Sequence, residues 1–129
     1  LGRRKTMSIG LSIVILVLIF AFFVGVSLDN PSLITKVYFA LFAIGGLGWA
    51  MVNVNSLPTI VDMTVEEKVG GYTGLYYFFS MAANIIAPPL AGLFIDYIGY
   101  NTLFALSITF LTLSLITLQF VKRGDIKAQ

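Results

Sequence analysis

Cysteine and histidine are both missing from this 129-residue chain. Without cysteine there is no disulfide framework and no thiolate metal site, and without histidine the commonest general base and metal ligand is absent. Neither metal chemistry, nor Ser-His catalysis, nor a bound cofactor is expected. Charge is scarce as well: 11% of residues are charged, the net charge is +2, and 58% are apolar. That balance describes an integral membrane protein whose solvent is mostly lipid, and it gives no reason to expect a nucleic-acid partner. No Asp, Glu, Lys or Arg falls deep inside any of its long apolar stretches.

There are four such stretches, at residues 9–28, 35–61, 71–95 and 102–121. Each reaches the roughly 20 residues that a helix needs to cross a hydrocarbon core. The turns between them, "DNPS", "DMTVEEKVG" and "DYIGYN", are too short to hold a soluble domain. The expected fold is an all-α integral membrane bundle of four transmembrane helices, flanked by residues 1–8 and 122–129. Arg3, Arg4 and Lys5 precede the first span, Lys68 separates the second from the third, and Lys122, Arg123 and Lys127 follow the fourth. Only Lys36 lies on the other side, so the positive-inside rule places both ends in the cytoplasm of a cell-membrane protein. The first apolar run is longer than that of a secretory signal peptide and has a poor cleavage site, so a retained helix is expected. The chain opens on Leu1 and a charged turn that leads straight into a span, which reads as the end of a longer protein. The rival reading is a four-span protein starting at Met7.

Polar residues inside the spans need a partner or a water-lined cavity. In "GLGWAMVNVNSLPTIVD", Asn53, Asn55 and Ser56 precede Pro58. At ~1.5 Å per helical residue the two asparagines stand on the order of 10 to 13 Å from Asp62. By the same rise Tyr76, Tyr77 and Ser80 stand about 9 to 15 Å from Gly70, at a matching depth. In the third span Thr73, Tyr77, Ser80, Asn84 and Pro88 follow one helical stripe. Amides, hydroxyls and aromatic rings without fixed charge suit a neutral polyhydroxylated solute, so Asn53, Asn55, Tyr77, Ser80 and Asn84 are the substrate-pathway candidates. Each of them is also a plausible helix-to-helix hydrogen bond. Pro58, Pro88 and Pro89 free carbonyls from the helix ladder and are the hinge or gate candidates, with static packing as the alternative. Gly45 with Gly48, Gly70 with Gly74, and Ala83, Ala87 and Ala91 form faces small enough for close helix contact. Trp49, away from the interfacial belt, is expected to line the bundle interior.

The loop-end sequence Gly2, Arg3, Arg4 and Lys5 resembles the cytoplasmic motif before the ninth span of major facilitator superfamily transporters. "PPLAGLFIDYIGYNTLFAL", with Gly92, Asp96, Gly99 and Phe104, resembles the junction between spans eleven and twelve. "GGYTGLYYFFSMAANIIAPPLAGLFID" and the run from Gly48-Trp49-Ala50 to Ser56-Leu57-Pro58 look most like the branch of sucrose and other disaccharide proton symporters. The resemblance covers almost the whole chain. It implies spans nine to twelve of a twelve-helix bundle, partnered by the missing amino-terminal helices of the same chain and by lipid. It also implies a small neutral solute site near the midplane and a coupling proton or cation. Asn53 and Asn55 would then line or brace the inner cavity, with Pro58 bending the helix at its gate.

Two other classes stay open. A four-span anchor or assembly subunit without transport activity would explain the hydropathy and the small-residue faces. A membrane enzyme would have only Asp62, Glu66 and Glu67 to work with and ranks last.

Overall fold

The computed structural model describes residues 2–121 and is built of helices: α1 (Arg3–Ser27), α2 (Pro31–Asp62), a 3-10 turn (Glu66–Lys68), α3 (Val69–Ile98) and α4 (Thr102–Gln119). All four long helices have the length and apolar composition to cross a membrane, and no strand occurs among the described residues. The basic tail with Lys122, Arg123 and Lys127 lies outside the described residues, as does Leu1. α2 has 32 residues and α3 has 30. At ~1.5 Å per residue each is longer than the ~30 Å hydrocarbon core, so both carry helix into the headgroup zone.

Local chemistry sets the turns. Asn30 Oδ1 accepts hydrogen bonds from the Ser32 and Leu33 amides at 3.1 and 3.3 Å, and Pro31 occupies the first helical position, where its missing N–H costs nothing. That cap turns the chain sharply out of α1 into α2. At the end of α3, Gly99 adopts φ 109°, a backbone conformation that a side chain would strain, while its amide still bonds the Ile95 carbonyl at 2.8 Å. Thr102 follows three residues later as the first residue of α4.

The helices run alternately up and down and form a ring. α1 touches α2 and α4, and α3 touches α2 and α4, but neither diagonal pair makes contact among the described residues. The packed centre is the seam between α1 and α2, where Gly10, Leu11, Val17 and Ala21 of α1 and Gly45, Gly48 and Thr59 of α2 are buried. A Cβ at Gly10 would lie 2.5 Å from the Gly48 carbonyl oxygen, and one at Gly48 would lie 2.8 Å from the Gly10 carbonyl oxygen. Backbone therefore meets backbone, which only glycine on both helices permits. Higher up the seam, the Tyr38 hydroxyl donates to the Ala21 carbonyl at 3.1 Å. Phe22 of α1 meets Phe104 of α4 edge to face at 6.1 Å.

The small-residue faces divide accordingly. Gly45 and Gly48 make the close approach, whereas Gly70 and Gly74 have open space beside them. α3 has no buried residue, and Phe78, Phe79, Ile85 and Ile86 are exposed, as lipid or further helices require. Trp49, expected to line the bundle interior, is not covered by these four helices: it is 52% exposed on α2, because the ring leaves that side of the helix open.

The Gly10–Gly48 contact yields a stability prediction. Gly10→Ala and Gly48→Ala should each destabilise the chain by about 1–3 kcal/mol, the range for overpacking a tight contact, seen as a lower midpoint in a thermal melt in detergent. Gly46→Ala, with nothing within 4 Å, should hold or raise that midpoint.

Candidate functional site

Two polar layers lie within the helices at one end of the ring. On α2 the Asn53 amide nitrogen donates to the Trp49 carbonyl at 3.0 Å and the Asn55 amide nitrogen donates to the Met51 carbonyl at 2.7 Å. Each side chain thus spends one donor on its own helix, four residues back, and keeps its carbonyl oxygen as an acceptor. Residues two apart do not share a helix face, so the pair diverges. Asn55 falls on the side of Gly48 and Thr59, which faces α1, and is half-buried there. Thr59, 3% exposed, donates to the Asn55 carbonyl at 2.6 Å and approaches Met7 Sδ at 3.5 Å. Asn53 falls on the other side, with Trp49 and Ser56, and is exposed.

The second layer belongs to α3. Ser56 Oγ and Tyr76 Oη stand 3.4 Å apart, joining α2 to α3 at the depth expected from residue counting. Tyr76 packs edge to face on Tyr77 at 5.3 Å, which holds the Tyr77 ring beside this contact while leaving it 49% exposed. Because α3 is helical without interruption from Val69 to Ile98, Thr73, Tyr77, Ser80 and Asn84 do form one stripe. Among the described residues none of these four side chains has a hydrogen-bond partner. The stripe is ~16 Å long at the helical rise and carries no charge.

The proline candidates sit in continuous helix. α2 runs through Pro58 to Asp62, and α3 runs through Pro88 and Pro89 to Ile98. Pro58 cannot donate to the Val54 carbonyl, and Pro88 and Pro89 likewise leave the Asn84 and Ile85 carbonyls without their helical amide.

A charged cluster closes the same end of the ring. Gly2 caps α1, its carbonyl accepting from the Thr6 amide at 3.0 Å and the Thr6 hydroxyl at 3.2 Å. The Arg3 guanidinium forms an ion pair with Asp62 at the end of α2. Arg4 donates to the Gln119 main-chain carbonyl at 2.6 Å and to its Oε1 at 3.2 Å, and Gln119 Nε2 donates to Ser8 Oγ at 3.1 Å. Successive residues of a helix step by about 100°, so Arg3 reaches α2, Arg4 reaches α4, and Lys5 turns to a third direction. Sequence reasoning took these residues only as a basic flank and loop motif. Gln119, the lone amide in α4, was the available signal for the Arg4 contact.

No three Asp, Glu, His or Cys side chains converge among the described residues. The arrangement can offer hydrogen bonds and aromatic faces from one helix stripe, next to a helix end latched by ion pairing. It belongs to a multi-pass helical membrane protein. The model of the Major Facilitator Superfamily matches residues 1–129, so the chain belongs to that superfamily, whose members are transporters rather than enzymes. No curated protein and no solved structure matches the chain.

Each partner of the Arg3–Asp62 pair is about a quarter to a third exposed. Reversing one charge, by Arg3→Asp or by Asp62→Arg, should lower the melting midpoint, with about 0.2–1 kcal/mol for the lost attraction and more for the new repulsion. Combining the two substitutions should recover most of the loss, read as the coupling term of a double-mutant cycle.

Proposed function

We propose that this chain supplies spans nine to twelve of a twelve-helix transporter that moves a small neutral solute, a sugar or disaccharide, by alternating access between two halves. The observation that carries this reading is the uncharged stripe of Tyr77, Ser80 and Asn84 on α3, whose polar groups have no hydrogen-bond partner among the described residues. Polar groups left unpaired in a hydrocarbon setting are costly, so a water-filled or solute-filled pathway beside α3 is the arrangement that satisfies them. The hydroxyl and amide chemistry matches a polyol, while the Tyr76–Tyr77 pair offers a flat apolar face. Asn53, exposed on the side of Ser56, extends the pathway to α2. Asn55, turned toward α1, braces the wall behind it. Disaccharide–proton symport is the branch that the sequence resembles. Proton or cation coupling would then use an ionisable group on the amino-terminal helices, since α1–α4 carry none at depth. Pro58, Pro88 and Pro89 serve as bending points at the ends of the pathway.

Orientation belongs to the same reading, with both ends and the turn at residues 62–70 cytoplasmic. In this cysteine-free chain, Ser32→Cys and Asn101→Cys should react with an impermeant maleimide added to sealed cells, and Glu67→Cys should not. The opposite labelling pattern would reverse the topology.

The solute pathway is tested by transport in the full-length protein. Asn53→Ala and Tyr77→Phe should raise the half-saturating solute concentration roughly 2- to 13-fold at unchanged membrane abundance, since a lost hydrogen bond contributes ~0.5 to 1.5 kcal/mol. Asn55→Ala should act first on abundance or melting. A set in which every substitution reduces folded protein and none changes affinity would reassign these groups to helix bracing and favour the anchor or assembly reading.

A further inference from the structure

The outer seam between α1 and α4 contains a shallow, open groove with a volume of about 550 Å³. Ile9, Ile13 and Leu16 of α1 and Leu115 and Ile116 of α4 form its walls. Ser8 and Gln119 close it at the end nearest the start of α1. The one other polar group in the wall, the Ser12 hydroxyl, already donates to the Ser8 carbonyl at 2.9 Å, so the body of the groove presents an apolar surface. Ile9 and Leu16 are exposed, which leaves the groove open along its length. It is a trough with an apolar body and a polar end.

Among the described residues, cations stand at that end. Arg4 binds Gln119, a residue of the groove itself, and so holds its guanidinium at the mouth. Lys5 lies four, seven and eleven residues before Ile9, Ser12 and Leu16, on the stripe that faces the groove. It is exposed and has no ion-pair partner among the described residues. The nearby acid of the cluster, Asp62, is engaged by Arg3 on the α2 side of α1. Three consecutive cations thus divide their work: Arg3 latches α2, Arg4 latches α4, and Lys5 is exposed on the stripe beside an apolar trough.

We propose that this groove binds an anionic phospholipid from the leaflet at the start of α1. One acyl chain fills the trough between α1 and α4, and the phosphate sits against Lys5. A basic pocket between transmembrane helices at headgroup depth is the kind of site that selects anionic lipid, and the apolar body distinguishes it from a site for a free anion. Bound there, the lipid bridges α1 and α4 along the seam whose helix ends Arg4, Gln119 and Ser8 join by side chains.

The test is native mass spectrometry of the chain in mild detergent with phosphatidylglycerol and phosphatidylcholine of identical acyl chains. Phosphatidylglycerol should be retained at least about five-fold better, the value of one juxtamembrane charge. Lys5→Gln, an exposed and unpaired position that leaves the latches intact, should reduce phosphatidylglycerol toward the phosphatidylcholine level. Ile9→Ser, at the exposed wall, should weaken retention of both lipids. A second readout locates the chain: a tryptophan introduced by Leu16→Trp in a Trp49→Phe background should be quenched by acyl-brominated phosphatidylglycerol, and less so after Lys5→Gln. Equal retention of the two lipids, or retention unchanged by Lys5→Gln, overturns the proposal. So does complete displacement by millimolar inorganic phosphate, which would reveal a free-anion site, or quenching that ignores the headgroup.

Discussion

The rest of this structure depends on two glycines facing each other. Lipid tails are as apolar as leucine, so helices in a bilayer gain nothing from simply hiding apolar side chains from water. They associate where close packing replaces lipid contact. Gly10 and Gly48 let α1 and α2 meet backbone to backbone, and the buried residues of α1 and α2 cluster along that seam. Once the two axes are that close, Arg3 can reach Asp62, Thr59 can reach Met7, and Tyr38 can reach the Ala21 carbonyl. α4 then joins α1 more loosely, through Phe104 on Phe22 at one end and Gln119 at the other. α3 is held by a few contacts and by its short turns.

This gradient of packing matters for a transporter. α3, which buries nothing within the ring, is the helix least held by its neighbours. α1 and α2 form the rigid part against which it is placed. The polar groups follow the same division. On the rigid pair they are consumed locally, as when Asn53, Asn55 and Ser56 bond carbonyls of their own helix. On α3 the Tyr77, Ser80 and Asn84 groups are left to whatever lies beside them.

The charged residues show how a short basic flank becomes a structural device. A helical step of about 100° turns three neighbouring cations in three directions, and the helices packed around α1 decide which of them is used for what. Exposed pairs of this kind contribute little each. Here they tie the start of α1 to the ends of α2 and α4.

The number of helices and their order were written in the sequence, because hydropathy over about 20 residues is a local signal that needs no partner to read. The start of α2 at Pro31 under the Asn30 cap, within a stretch read as a turn, came from the structure. Counting from Asp62 and Gly70 put Asn53 and Asn55 level with Tyr76, Tyr77 and Ser80, while the contact that joins the two helices there is Ser56 with Tyr76. Membership of the superfamily was legible in the Gly2-to-Lys5 flank and in the run from Pro88 to Phe104. Which face meets which neighbour was not. Gly48 and Gly74 look equivalent in sequence, yet one touches backbone and the other open space. Trp49 was assigned inward from its depth alone and is exposed among these four helices, on the side of Asn53. Asn53 and Asn55 read as one pair and diverge around their helix. These outcomes depend on the rotation of each helix about its axis. In a bilayer no water-facing side exists to reveal that rotation, so only the packing of α1 against α2 and α4 decided it.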